Sequence, residues 1–176
     1  MPPKPHDRLF KTLLSQPSAA LALAAHLLPP TALEGVTAHD LRAMDTALTG
    51  RARARTADRR WSVRLGGRRR MTVLLEHQAT PDARMAERLT EEILAIARPP
   101  GQRLTRRPAP PVVPIVVYQG RRPWGAPLQV ADHFDLKGPR LSLLREHTPH
   151  LRYLLLDLCR TPDAALPDHP PLWSTP

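Results

Sequence analysis

Cysteine is almost missing from this chain of 176 residues: Cys159 stands alone. One thiol excludes an intrachain disulfide and any cysteine-built zinc site, which suits a reducing, cytoplasmic setting, and Cys159 itself is expected as a small core residue. Long apolar runs are missing too. The longest near the N-terminus, AALALAAHLL, is too short to span a bilayer, and the residues before it carry Asp7 and a helical pattern where a signal peptide would differ. No membrane partner is expected. Walker loops, dinucleotide fingerprints and nucleophile elbows are also absent. Acid is scarce as well: 16 Asp and Glu face 26 Lys and Arg, for a formal net charge of +10. That balance favours an anionic partner, nucleic acid or an acidic membrane surface being the usual choices. Only Lys4, Lys11 and Lys137 are lysine, and proline reaches 22. This is the composition of a GC-rich genome, so the placement of charge says more than its sum.

The length suits one compact domain. HDRLFKTLLSQP repeats apolar residues at helical spacing behind Asp7, and Pro17 ends that helix; SAALALAAHLLPP reads as a second helix stopped by Pro29 and Pro30. Residues 31 to 50 read as connector with one helical turn. The period then changes: RWSVRL alternates, Gly66-Gly67 supplies a hairpin turn, and RRMTVLLEHQ returns as a strand. TPDARMAERLTEEILAIARPP is a helix capped at its aspartate, with Met85, Leu89, Ile93, Leu94 and Ile96 as its apolar positions. VVPIVVYQG reads as a strand buried on both faces, although Pro114 suits an edge or a bulge better, and RYLLLDL as a last strand. This order predicts an α/β or α+β sandwich with a mixed sheet, the α/β form being the leading expectation. Residues 1–162 form the expected domain, and the proline-rich tail 163–176 is expected to be loose or the remnant of a truncated longer chain.

The chemistry hangs on the hairpin. Side chains alternate along a strand, so Glu76 and Gln78 share one face while His77 points to the other, into packing. A two-residue turn at Gly66-Gly67 would set Asp58 opposite Leu75. A three-residue turn of Gly66, Gly67 and Arg68, or a bulge near Asp58, sets Asp58 opposite Glu76. Two carboxylates so placed repel each other unless a hard divalent cation lies between them. Such an ion polarises a phosphoryl oxygen and activates water. Between Arg51 and Arg70 nine arginines accompany the single acid Asp58; Arg55, Arg59, Arg60, Arg68, Arg69 and Arg70 are therefore expected at a nucleic-acid backbone. The combination points to metal-dependent phosphodiester hydrolysis.

PHDRLFKTLLSQP, ADRRWSV, LLEHQATPDARMAERL, VVPIVVYQGRRPW and YLLLDL, in that order from about Pro5 to Pro162, strongly resemble the Rpn family of recombination-promoting nucleases, also called YhgA-like transposases. The resemblance implies a restriction-endonuclease-like, PD-(D/E)XK fold: a mixed sheet flanked by helices, here with two N-terminal helices, that cuts DNA with Mg²⁺ or Mn²⁺. By position, Asp58 matches the family's first metal-binding aspartate, Glu76 its second carboxylate, and Gln78 the place where related nucleases carry lysine. Asp7 and Lys11 match the N-terminal motif, Asp7 as an accessory acid and Lys11 as a phosphate contact. Two features depart from the family. Arg59 and Arg60 replace two apolar residues, so one guanidinium faces the sheet and threatens to displace the strand, and family members continue beyond the point where this chain stops.

Each residue also has a plainer reading. Asp58 alone would be a strand-entry residue, Glu76 a solvated strand end, Gln78 a turn cap, Asp7 a helix cap, Lys11 and the arginines a solvated surface, and His147 and His150 loop residues. Tyr118 and Trp124 are expected to pack. The leading expectation is a Mg²⁺-dependent DNA endonuclease of slight sequence preference, with homo-oligomers permitted. Its competitors are a non-catalytic DNA-binding or interaction fragment of the same family and a metal-independent basic adaptor.

Overall fold

The computed structural model describes residues 12, 14–44, 58–97, 108–162 and 166. Five strands build one mixed sheet in sequence order: β1 (Leu41–Met44), β2 (Arg59–Arg64), β3 (Arg70–Gln78), β4 (Val112–Tyr118) and β5 (Leu154–Asp157). The β1–β2 and β2–β3 pairs are antiparallel and the β3–β4 and β4–β5 pairs parallel. The expected α/β architecture is present. Helix α1 (Pro17–Leu27) covers one face and α2 (Met85–Ala97), the crossover between parallel strands β3 and β4, covers the other.

Strand parity assigns the residues to these layers. Trp61, Val63, Met71, Val73, Leu75, Ile115 and Val117 join Ala20, Leu23 and Ala24 of α1 in one core. Leu74, Val116 and Tyr118 join Met85, Ala86 and Leu89 of α2 in the second, with Trp124 and Tyr153. Pro17 is the first residue of α1, where its missing N–H costs nothing. The N-terminal helix lies outside the described residues except for its end, where Leu14 is fully buried and its carbonyl accepts a hydrogen bond from Trp61 Nε1 at 3.1 Å.

Several expectations need correction. The connector before residue 50 holds two short 3-10 turns, Pro30–Leu33 and Ala38–Asp40, and then the edge strand β1. Leu94 is 63% exposed instead of packed, and Glu92 takes an inward position on α2. Cys159 is exposed in the turn after β5, not in the core. Pro114 sits in a central strand without disrupting it. It shares parity with Tyr118, whose carbonyl accepts from the N–H of Leu158 just beyond β5, so the nitrogen of Pro114 faces the β5 side, where pairing begins only at Ile115 with Leu154. The tail 163–176, expected to be loose, lies outside the described residues except for Leu166, which is partly buried against the α1-side core.

The β2–β3 turn is the three-residue form. Leu65 N–H donates to the Arg69 carbonyl at 3.0 Å, closing a loop of Gly66, Gly67 and Arg68, and the ladder continues from Arg64 with Arg70 to Arg59 with Leu75. Gly66 and Gly67 have φ of 94° and 56°, the region that a side chain disfavours. Gly67→Val is expected to lower unfolding stability by about 1–2 kcal/mol in a urea titration, the strain of a β-branched residue in the left-handed region.

Candidate active site

Extending the β2–β3 ladder by one pair sets Asp58 opposite Glu76, as the three-residue turn requires. Asp58 Oδ2 accepts the main-chain N–H of His77 at 2.9 Å, which holds this carboxylate against β3 beside Glu76. Glu76 is 5% exposed. Burial in the α2-side layer, then the charge of Asp58, push its carboxyl up from 4.5 to about 7; Arg88 opposes them, and Glu92 adds a further upward push.

Two donors restrain Glu76, both on the same oxygen. Gln78 Nε2 and Arg88 Nη2 each donate to Oε1 at 2.9 Å. Among the described residues no donor reaches Oε2. Arg88 also donates to Asp82 Oδ2 at 2.7 Å, so one guanidinium ties the strand acid to the aspartate that opens the α2 turn. Burial alone would raise Asp82, but the bonds from Arg88 and the Arg84 amide outweigh it and hold the carboxyl low. Burial depresses Arg88 as well, yet Asp82 and Glu76 overcome that and keep it firmly cationic.

Among the described residues no group of three or more His, Cys, Asp or Glu is placed to hold a metal. Asp58 and Glu76 instead offer a carboxylate pair in which one oxygen of Glu76, Oε2, has no donor among the described residues. That set fits Mg²⁺ or Mn²⁺, which are held by one or two carboxylates and complete their shell with water and substrate phosphate. The donor chemistry favours the fit: two facing carboxylates are hard oxygen donors, and a cation between them would offset the charge of Asp58 that adds to burial in raising Glu76.

The other sequence-predicted residues scatter. His77 has the opposite parity to Glu76, is 8% exposed and packs on the α1 side. Arg59 does not displace the strand: its Nε donates to Ser15 Oγ at 2.7 Å and its Nη1 to the Asp58 carbonyl at 3.0 Å. Arg60 is 5% exposed and paired in the ladder with Leu74, which takes it off the surface that a phosphate grip needs. Arg68, Arg69 and Arg70 are exposed, but they lie at the opposite end of the hairpin. The six residue steps from Glu76 back to Arg70 span about 20 Å of strand, so these arginines do not surround the acids. Asp7, Lys11 and Arg55 lie outside the described residues. Sequence reasoning missed Arg88 and Glu92. Their i,i+4 spacing beside the apolar positions Leu89 and Ile93 marks a polar edge on an otherwise inward helix face, and that was the available signal.

A mixed sheet with two facing acids at the end of an antiparallel hairpin defines the class, and comparison with known proteins supplies the family. The model for the family described as "Putative transposase, YhgA-like" matches residues 4–173, and this chain belongs to that family. It is also 33% identical over 125 residues to the recombination-promoting nuclease RpnD of Escherichia coli O157:H7, an alignment covering 68% of this chain and 48% of the relative. The chain thus spans about half the length of the curated relative that it matches. No solved structure matches it. Among the described residues no helix is long and apolar enough to cross a membrane.

The raised carboxyl of Glu76 has a measurable consequence. A group whose folded pKa lies above its unfolded value contributes stability that is full below about pH 4.5 and is lost as pH rises through about 7. With divalent metal chelated, wild type should therefore weaken between pH 5 and pH 8 by about 2 kcal/mol or less, and Glu76→Gln should flatten that slope and melt higher than wild type at pH 8. Parallel slopes for the two proteins in thermal melts would contradict the assignment.

Proposed function

We propose that this protein is a metal-dependent DNA endonuclease that hydrolyses phosphodiester bonds with little sequence preference. The single observation carrying the proposal is the facing of Asp58 and Glu76 across the β2–β3 hairpin, with Asp58 pinned by the His77 amide. Membership of the YhgA-like family and the likeness to a named recombination-promoting nuclease support DNA as the substrate class.

Asp58 and Glu76 are the residues that would hold Mg²⁺ or Mn²⁺. Bound there, the ion would supply Lewis-acid polarisation of a phosphoryl oxygen and a lowered pKa for an attacking water. The chain's own residues prepare for that. Gln78 and Arg88 fix the rotamer of Glu76 by converging on Oε1, which aims the other oxygen away from them. Gln78, two residues further along the strand on the same face, would orient water or a phosphate oxygen. Its amide is neutral, so it positions and does not transfer a proton. Arg88 keeps the ionised form of Glu76 accessible at neutral pH against burial and the charge of Asp58. Slight sequence preference follows if contacts are made to phosphates and not to base edges.

The test is a supercoiled-plasmid nicking assay with Mg²⁺ or Mn²⁺ and with chelator. Asp58→Ala and Glu76→Ala should each lose about 100-fold or more of the cleavage rate, the scale of several kcal/mol of lost metal stabilisation. Gln78→Ala should lose less than either. Metal-independent cutting, or wild-type rates in both acid variants, would refute the proposal.

A further inference from the structure

The loop that follows β4, Gln119–Gly120–Arg121–Arg122–Pro123–Trp124, sits at the same end of the sheet as the candidate site. Gln119 N–H donates to the Gln78 carbonyl at 2.9 Å, and the Gln78 side chain in turn bonds Glu76. Arg121 and Arg122 begin two residues beyond that link. This is the carboxyl edge of the parallel strands β3, β4 and β5, where ligands bind in open α/β sheets.

The loop is built tightly from below. A β-carbon on Gly120 would overlap the Tyr118 ring, so only glycine lets the chain lie flat on that phenol. The Tyr118 hydroxyl donates to the Arg122 carbonyl at 2.7 Å. Trp124 N–H donates to Asp157 Oδ2 at 2.9 Å, and its indole Nε1 to the Tyr153 hydroxyl at 3.0 Å. The Tyr118 and Trp124 rings meet edge to face with centroids 5.0 Å apart. Two buried aromatics thus clamp both ends of a short segment whose middle residues, Arg121, Arg122 and Pro123, are exposed. Three other arginines are held in ion pairs, Arg64 with Asp40, Arg84 with Glu87, and Arg88 with Glu76 and Asp82, so it is position at the site end of the sheet that singles out Arg121 and Arg122. Among the described residues neither Arg121 nor Arg122 makes an ion pair.

We propose that Arg121 and Arg122 form the phosphate clamp that seats the DNA backbone over the Asp58–Glu76 pair. This rests on the nuclease reading above and adds to it the surface that holds the substrate. A loop already fixed at both ends spares backbone ordering on binding, and two guanidiniums on it present bidentate donors suited to phosphate. The turn arginines Arg68 and Arg69 are equally exposed and at the wrong end, which makes them an internal control for bulk charge.

The experiment measures binding of a short labelled DNA duplex across a salt series, with Ca²⁺ in place of Mg²⁺, for the full chain and three double variants. Arg121→Ala/Arg122→Ala should weaken binding about tenfold at low salt and reduce the slope of log K against log salt by roughly 2, since each phosphate contact contributes about 0.9. Arg68→Ala/Arg69→Ala, which removes the same net charge, should stay within about twofold of wild type if non-specific charge is not the cause. Arg121→Lys/Arg122→Lys should keep the slope, which a merely structural role for these side chains would not predict. If wild type binds DNA and the Arg121/Arg122 alanine pair binds equally well, or if both alanine pairs weaken binding alike, the clamp is refuted while the nuclease proposal stands. If wild type neither binds nor cuts DNA, both fall.

Discussion

The register of the β2–β3 hairpin is the constraint on which the rest depends. A two-residue turn would move every side chain of β2 to the opposite face: Trp61 and Val63 would leave the α1-side core, and Asp58 would turn away from Glu76. Fold and site are therefore secured by the same three residues, Gly66, Gly67 and Arg68. The two glycines in positive φ make the turn accessible, and the burial of Trp61, Val63, Met71 and Val73 makes it obligatory. A core of this kind holds two acids together more firmly than any local interaction at the acids could.

Holding them together is unfavourable, and the surroundings show how the strain is contained. Glu76 loses water and faces Asp58, and both effects resist its ionisation. Arg88 offsets them from α2, itself steadied by Asp82 at the start of the same helix. The compensation stays incomplete, as the carboxyl's position near neutrality shows. A fully balanced ion pair would be a structural element; an acid left partly unbalanced, with one oxygen lacking a donor, is the kind of perturbed group that clusters at functional sites. Asp157 plays the matching structural role at the end of β5, where its two oxygens accept the Trp124 and Cys159 amides and fix the loop beside the site.

Much of this was legible in the sequence because short-range geometry carries it. Gly66-Gly67 marks the turn, the alternation of RWSVRL fixes the face, and Glu76 and Gln78 share parity whatever the tertiary structure does. What was not legible depends on distance across the fold. Strand β1 has four residues, too few for alternation to stand out from a connector. Arg88 and Glu92 sit on a helix whose rotation over the sheet no local pattern reports. The arginines at the turn are close to Asp58 in sequence, but a hairpin brings its ends together and sends its tip away, so proximity along the chain inverted the true arrangement. Arg59 and Arg60, which threatened the strand, are absorbed by Ser15, the Asp58 carbonyl and burial instead.

The central claim is that the hairpin register creates a shared cation site between Asp58 and Glu76. Its most direct test is a crystal of the protein soaked in Mn²⁺ and measured for anomalous scattering. The account predicts a peak within coordination distance of one carboxylate oxygen from each residue, with Arg88 still on Glu76 Oε1. A well-diffracting, Mn²⁺-soaked crystal with no peak between the two carboxylates, or with an ion bound by only one of them, would contradict it.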